Sequence, residues 1–127
     1  MAGQFHLEQP AFDRAINGRV LLAASNAATT LTAAQSIGSI VTMTPTAARA
    51  ITTPVAADII AELADGYRVG SCFEVTIVNL AAATHEITFT AGATGVTVTG
   101  VATVAALSSA TFVGRVASAT TVIYYRK

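Results

Sequence analysis

The feature that most constrains the fold is the run from Ile87 to Gly114, which contains no charged side chain. Within it, the stretch Val96–Thr99 alternates valine with threonine. A membrane-spanning helix needs about 20 residues dominated by large apolar side chains, whereas β-branched residues alternating at period two predict a strand. We therefore expect no membrane partner, and we expect the protein's own core or another protein surface to cover this run.

Similar alternation predicts short strands along most of the chain. Strands at this spacing are typical of an all-β sandwich or barrel, and Leu80–Ala83 has a length suited to a hairpin loop. A count of about eight is that of a jelly roll. We predict a jelly-roll-like antiparallel β-sandwich with one short helix. The predicted strands are Ile40–Thr44, Ala48–Thr52, Ser71–Asn79, Thr84–Ala91, Val96–Thr99, Val101–Val104, Thr111–Ala117 and Thr121–Arg126.

One segment carries the start and stop signals of a helix. Thr53 is a suitable N-cap, Pro54 fits the first helical position, and Gly66 supplies the stop. Apolar residues follow at helical spacing, which predicts one buried face. They are Val55, Ile59, Ile60 and Leu63.

Residues 1–30 differ in pattern from the rest of the chain. They mix charged residues, Pro10 and Gly18 with isolated apolar side chains, and they show no sustained helical or strand period. We interpret residues 1–30 as an extended N-terminal arm or linker and residues 31–127 as the β-sandwich domain. A disordered terminus is one interpretation of the arm. Docking onto a partner is the other, because the arm carries more apolar residues than a solvated tail needs.

Composition excludes several partners. Only 11% of the residues are charged, and seven acids balance seven bases, so there is no basic surface of the kind that nucleic-acid binding requires. The N-terminus lacks the basic and apolar regions of a secretory signal, which favours synthesis and use in a cytoplasm. Cys72 is the lone cysteine. It cannot form a disulfide within the chain, and we expect it to pack as a small buried residue.

Few residues offer catalytic chemistry. His85 and Glu86 could form half of an acid/base pair or simply a solvated turn. Asp58 and Glu62 lie one helical turn apart and could form a carboxylate pair or a solvated helix face, and no His, Cys or third carboxylate is spaced to join them. Nucleotide-binding and nucleophile motifs are absent. We predict that the protein is not an enzyme and uses no catalytic residue, cofactor, metal or small-molecule substrate.

The outward-facing residues between Ile87 and Gly114 are mostly threonine, alanine, serine and glycine. Uncharged patches and uncharged strand edges mark interfaces, so we predict that copies of this chain associate, most simply in a closed cyclic assembly. Tyr124 and Tyr125 point to opposite faces of one strand, so that one enters the core and the other a subunit surface. The predicted interface residues are Val96, Val98, Val101, Val104, Tyr124 and Tyr125.

Six segments follow one another in the order LTAAQSIGSIVTMTPTAAR, ITTPVAADIIAEL, VGSCFEVTIVN, TFTAGATGVTVTG, TFVGRV and VIYYRK. This series, over about residues 31–127, resembles the small head-decoration, or cement, proteins of tailed phages and prophages. The resemblance implies a jelly-roll-like domain that forms homotrimers on the outside of an icosahedral capsid. Such trimers would bridge and stabilise neighbouring subunits of the major capsid protein. The protein would then be made in the host cytoplasm and located on the virion exterior.

The resemblance also gives the arm a use. If the domain trimerises, three arms can bind three sites on the capsid, and avidity strengthens the weak binding of each arm. The apolar anchors would be Phe5, Leu7, Phe12 and Ile16, with Asp13, Arg14 and Arg19 fixing the register. The alternative is a tail or head fibre component, including a receptor- or glycan-binding module on the same fold.

Overall fold

The computed structural model describes residues 21–63 and 67–127. These residues are mostly β-structure in two sheets, which confirms the predicted class at that level. All eight predicted strands have a counterpart, two with the predicted bounds and six with boundaries shifted by one to three residues. The strands are β1 Leu21–Ala23, β2 Thr29–Thr30, β3 Ile40–Met43, β4 Arg49–Thr52, β5 Cys72–Asn79, β6 Ile87–Thr90, β7 Val96–Thr99, β8 Thr103–Val104, β9 Ser108–Ser118 and β10 Thr121–Arg126. Helix α1 is Ala56–Leu63, and a 3-10 helix spans Gln35–Ile37.

The ten strands form a six-stranded sheet, in the order β1-β3-β5-β9-β10-β7, and a four-stranded sheet, in the order β2-β4-β6-β8. From β1 to β9 the chain changes sheet after every strand. Successive strands of the same sheet often run in the same direction. Five of the eight strand pairs among the described residues are parallel. The expectation of antiparallel pairing is wrong for those five pairs.

The predicted hairpin between β5 and β6 is also wrong, because Leu80–Ala83 joins strands of different sheets. The first six strands instead form a coil of three turns, each with one strand in each sheet. Register pairs run Leu22 to Val41 to Ile77 in the large sheet. A jelly roll has antiparallel sheets of eight strands in total; residues 21–63 and 67–127 instead contain a mainly parallel coil and ten strands in all.

Residues 21–30 belong to the folded body and not to an arm. Strand β1 pairs with β3, and β2 pairs with β4. The predicted boundary at residue 30 therefore lies too late in the chain. The weak local pattern of this segment concealed its strands, because neighbouring strands supply the hydrogen bonds that hold it.

One shared core joins the two sheets. The ring of Phe89, from the small sheet, stacks on that of Phe112, from the large sheet, with centroids 4.4 Å apart, and Tyr124 meets Phe89 edge-on at 5.2 Å. Burying each large side chain contributes about 1.5–3 kcal/mol. The aliphatic residues around these rings include Val41, Ile51, Val75, Ile77, Ile87, Val104, Val116 and Val122.

Helix α1 connects β4 to β5 and covers part of this core. It begins at Ala56, after the predicted N-cap Thr53. The Thr53 hydroxyl instead accepts a hydrogen bond from the Gly92 amide at 2.8 Å, which ties the end of β4 to the loop after β6. Ile59 is buried as predicted, and the predicted stop at Gly66 lies outside the described residues. No helix in residues 21–63 or 67–127 is long and apolar enough to cross a membrane.

Candidate interaction surfaces

The broadest regular surface is the outer face of the six-stranded sheet, here called the six-stranded face. Alternation along each strand sends one set of side chains into the core and the other set outward, so Val75 and Ile77 are buried while Thr76 and Val78 face outward. Register aligns the outward sets of neighbouring strands in rows. The neutral residues of the central strands on this face include Ile40, Thr42, Cys72, Thr76, Val78, Ser109, Thr111, Val113, Ala117, Ile123 and Tyr125.

Two charged side chains lie among these neutral rows, and both have partners in the same chain. The Arg115 guanidinium donates a hydrogen bond to the Tyr125 hydroxyl at 2.9 Å and lies 5.8 Å from the centre of that ring. Glu74 accepts from Lys127 at 3.3 Å. Because Lys127 is largely exposed, this ion pair contributes little stability. Its effect is to neutralise local charge.

The outer face of the four-stranded sheet is smaller and almost entirely threonine, and we call it the threonine face. Thr30, Thr52 and Thr90 lie in register on three neighbouring parallel strands. Beside them runs a second row of Ala50, Thr88 and Thr103. This face offers hydroxyl and methyl groups but no large aliphatic side chain.

The structure removes two residues from the predicted interface. Val104 and Tyr124 have no exposed surface, because both point into the shared core. The Tyr124 hydroxyl donates a hydrogen bond to the Ser36 carbonyl at 2.9 Å. Burial raises the pKa of Tyr124 well above its usual range. Neither residue can contact a partner in this fold.

The other predicted interface residues lie at or near one edge of the large sheet. Val96 and Val98 are half-buried in β7, an edge strand, where they pack against the core. Val101 is 64% exposed just beyond that strand, and Tyr125 lies on the six-stranded face. The predicted arm contacts, Phe5, Leu7, Phe12, Arg14, Ile16 and Arg19, lie outside the described residues.

Sequence reasoning missed two exposed leucines at one end of the large sheet. Leu80 directly follows β5 and Leu107 directly precedes β9, and the register pairs their neighbours Asn79 and Ser108. Leu107 is 74% exposed and has a positive φ of 57°, a conformation that disfavours large side chains. Isolated leucines in loops of alanine and serine were the available signal.

Cys72 was expected to be buried, but it is exposed. It is the first residue of β5 and pairs in register with Arg115, so both side chains lie on the six-stranded face. Its thiol lies 3.3 Å from the Gly70 carbonyl. The expectation was wrong because the alternation of β5 places Phe73, and not Cys72, toward the core.

A shallow groove of about 610 Å³ lies beside the start of α1. Asp58 is the one ionisable side chain among the residues that line it, so the groove does not bring together an acid and a base. His85 lies elsewhere, where its carbonyl accepts a hydrogen bond from Asn79. Within the described ranges, no three His, Cys, Asp or Glu residues are grouped as metal ligands.

Comparison with known proteins identifies no relative. No family model matches the chain, and no curated protein or solved structure matches it. The geometry and chemistry of its surfaces are therefore the basis for assigning a function.

Proposed function

We propose that this chain is a virion structural protein that binds the outside of a phage capsid as a homotrimer. Its role would be to stabilise the capsid by bridging subunits of the major capsid protein. The six-stranded face carries this proposal, because the outward positions of an antiparallel or mixed sheet normally hold solvated polar and charged residues. Here they hold threonine, valine and isoleucine, which suit contact with another protein surface.

The body has the properties that a cement protein needs. Two sheets share one core, and the coil from β1 to β6 links them at every turn, so one core supports both outer faces. The strand order differs from the jelly roll that the resemblance implies. The described groove and surfaces offer contact area and no converging ionisable groups.

Residues 1–20 are assigned the role of attachment. They precede β1, an edge strand of the large sheet, and they contain the apolar anchors that the resemblance assigns to the capsid. In a trimer, three such segments would act together, and their combined avidity would exceed the affinity of each by a large factor, about 10²–10⁴.

The proposal is tested first by the mass of the purified full chain in solution. Light scattering over a range of concentrations is expected to give about three times 12.9 kDa. The chain is then sedimented with shells assembled from the major capsid protein of the same phage. Co-sedimentation is expected for the full chain.

The arm is tested by a deletion of residues 1–20, which leaves β1 and β2 in place. We expect the shortened chain to keep its mass and to lose binding to the shells. A full chain that does not bind the shells contradicts the capsid role. Unchanged binding by the shortened chain contradicts the attachment role of the arm while leaving the capsid role intact.

A further inference from the structure

We infer that the six-stranded face is the surface through which copies of this chain meet, turned toward the axis of a closed assembly. This inference rests on the self-association contained in the proposed function. It adds which of the two outer faces is used, and it leaves the threonine face directed away from the other copies.

Area separates the two faces. With strands about 4.8 Å apart and about 3.3 Å per residue, the six-stranded sheet covers about 600 Å², and the four-stranded sheet about 200 Å². A specific interface buries about 800 Å² on each partner. In a trimer the six-stranded face is shared between two neighbours, about 300 Å² each, so the exposed Leu80 and Leu107 and the adjoining loops must complete each interface. The threonine face, shared in the same way, would supply only about 100 Å² to each neighbour.

Chemistry favours the same face. The six-stranded face has Ile40, Val78, Val113 and Ile123 half-buried in the single chain, and covering them removes further apolar surface from water. Each square ångström of apolar surface buried contributes about 25 cal/mol. The threonine face has no comparable aliphatic side chains, and its hydroxyl groups must keep hydrogen-bonding partners when covered.

The two charges on the face differ in what their burial requires. Covering a charge without a counter-ion costs several kcal/mol; Glu74 is paired with Lys127, whereas Arg115 donates to the neutral hydroxyl of Tyr125. A facing copy must therefore leave Arg115 in contact with water or bring a carboxylate to it. The pair of hydroxyls on Thr76 and Thr111, 2.9 Å apart, is satisfied within the chain.

The width of the face allows a closed ring. In a cyclic trimer each subunit contacts two neighbours through two different patches. The half formed by β3 and β5 carries Ile40 and Val78, and the half formed by β9 and β10 carries Val113 and Ile123. Each half of one copy can therefore meet the other half of its neighbour, with aliphatic side chains on both sides.

The test compares one lysine on each face. Val78→Lys lies between Thr42 and Ser109 on a central strand of the six-stranded face. Thr88→Lys is the matched control, since it lies between Ala50 and Thr103 on a central strand of the threonine face. Both positions are half-buried and point outward. Far-UV circular dichroism and thermal unfolding verify that each variant is folded, and Ser109→Lys, at an exposed position, replaces Val78→Lys if that variant does not fold.

We expect Val78→Lys to lower the mass from about three chains to one, and Thr88→Lys to leave it unchanged. A folded Val78→Lys variant that keeps the mass of the unsubstituted chain overturns the inference, and so does loss of assembly in Thr88→Lys alone. An unsubstituted chain that is monomeric at every concentration also overturns it. The shell-binding experiment decides the capsid role separately, whatever the outcome here.

The native thiol of Cys72 provides a second readout. Its thiol lies on the six-stranded face and is exposed in the single chain. Labelling with a thiol reagent is expected to slow at least tenfold at concentrations where the assembly forms, and to return to the fast rate in Val78→Lys. Equal rates in the assembled and dissociated protein contradict burial of this face.

Discussion

The substitution Tyr124→Phe tests the placement of the two neighbouring tyrosines. It keeps the ring, which contacts Phe73 and Phe89 edge-on at 5.7 and 5.2 Å, and it removes only the hydroxyl that donates to the Ser36 carbonyl. Ser36 and Tyr124 are both fully buried, so water does not replace the lost donor. We expect the substitution to destabilise the protein without changing its fold.

The magnitude follows from the cost of leaving one buried carbonyl without its hydrogen bond, which is about 1–3 kcal/mol. For a domain of this size, each kcal/mol lowers Tm by about 4 °C. The expected decrease in Tm is therefore about 4–12 °C. Tyr125→Phe is the control, because Tyr125 is half-buried on the outer face and its hydroxyl accepts from Arg115. In the dissociated chain its expected cost is below about 1 kcal/mol.

Thermal and urea unfolding at one fixed protein concentration measure both variants, since assembly makes Tm depend on concentration. The stability of the unsubstituted protein is also expected to fall as pH rises above about 10, the pKa of an unfolded tyrosine. The raised pKa of folded Tyr124 makes the native state hold its proton more tightly than the unfolded state does, so this contribution is complete below pH 10. In Tyr124→Phe, the decrease in stability above pH 10 that comes from ionisation of Tyr124 is expected to disappear. Equal costs for the two variants, or an unchanged alkaline slope, refute the assignment of Tyr124 to the core.

Two further substitutions probe how the strands are held. Asn79→Ala is expected to cost about 3 kcal/mol, because the buried amide donates to the His85 and Val104 carbonyls and accepts from the Ala81 amide. Urea unfolding beside Asn26→Ala, which removes exposed hydrogen bonds, measures the difference, and similar costs would contradict it. Gly92→Ala is expected to cost about 1–3 kcal/mol, since a Cβ there overlaps backbone oxygens at the end of β4. An unchanged Tm would show that this approach is looser than described.

Much of the secondary structure could be predicted from local pattern. The stretch Val96–Thr99 is a strand with the predicted bounds, and Thr121–Arg126 likewise. Alternation identifies such strands because successive side chains must face opposite environments. Strands β1 and β2 were missed because they are short, and their position depends on pairing with strands that come later in the chain.

The sequence predicted that an uncharged interface exists, but not which strands form it. The uncharged composition indicated an interface, and the abundance of threonine placed neutral side chains outward. Which strands contribute to one flat face depends on sheet order, and β5, β9 and β10 become neighbours only after the chain has crossed between sheets. The predicted set therefore combined Tyr125, on the six-stranded face, with Val104, in the core.

The sequence by itself determined that residues would alternate between two environments along short strands, and that few charges would remain for solvent. Only the tertiary structure decided which strands pair, in which direction, and which of Tyr124 and Tyr125 faces inward. The physical reason is that alternation has a period of two and is the same for either direction of pairing and for either face. Contacts between distant segments, such as Tyr124 with Ser36 and Phe89 with Phe112, select one arrangement from those that the local pattern allows.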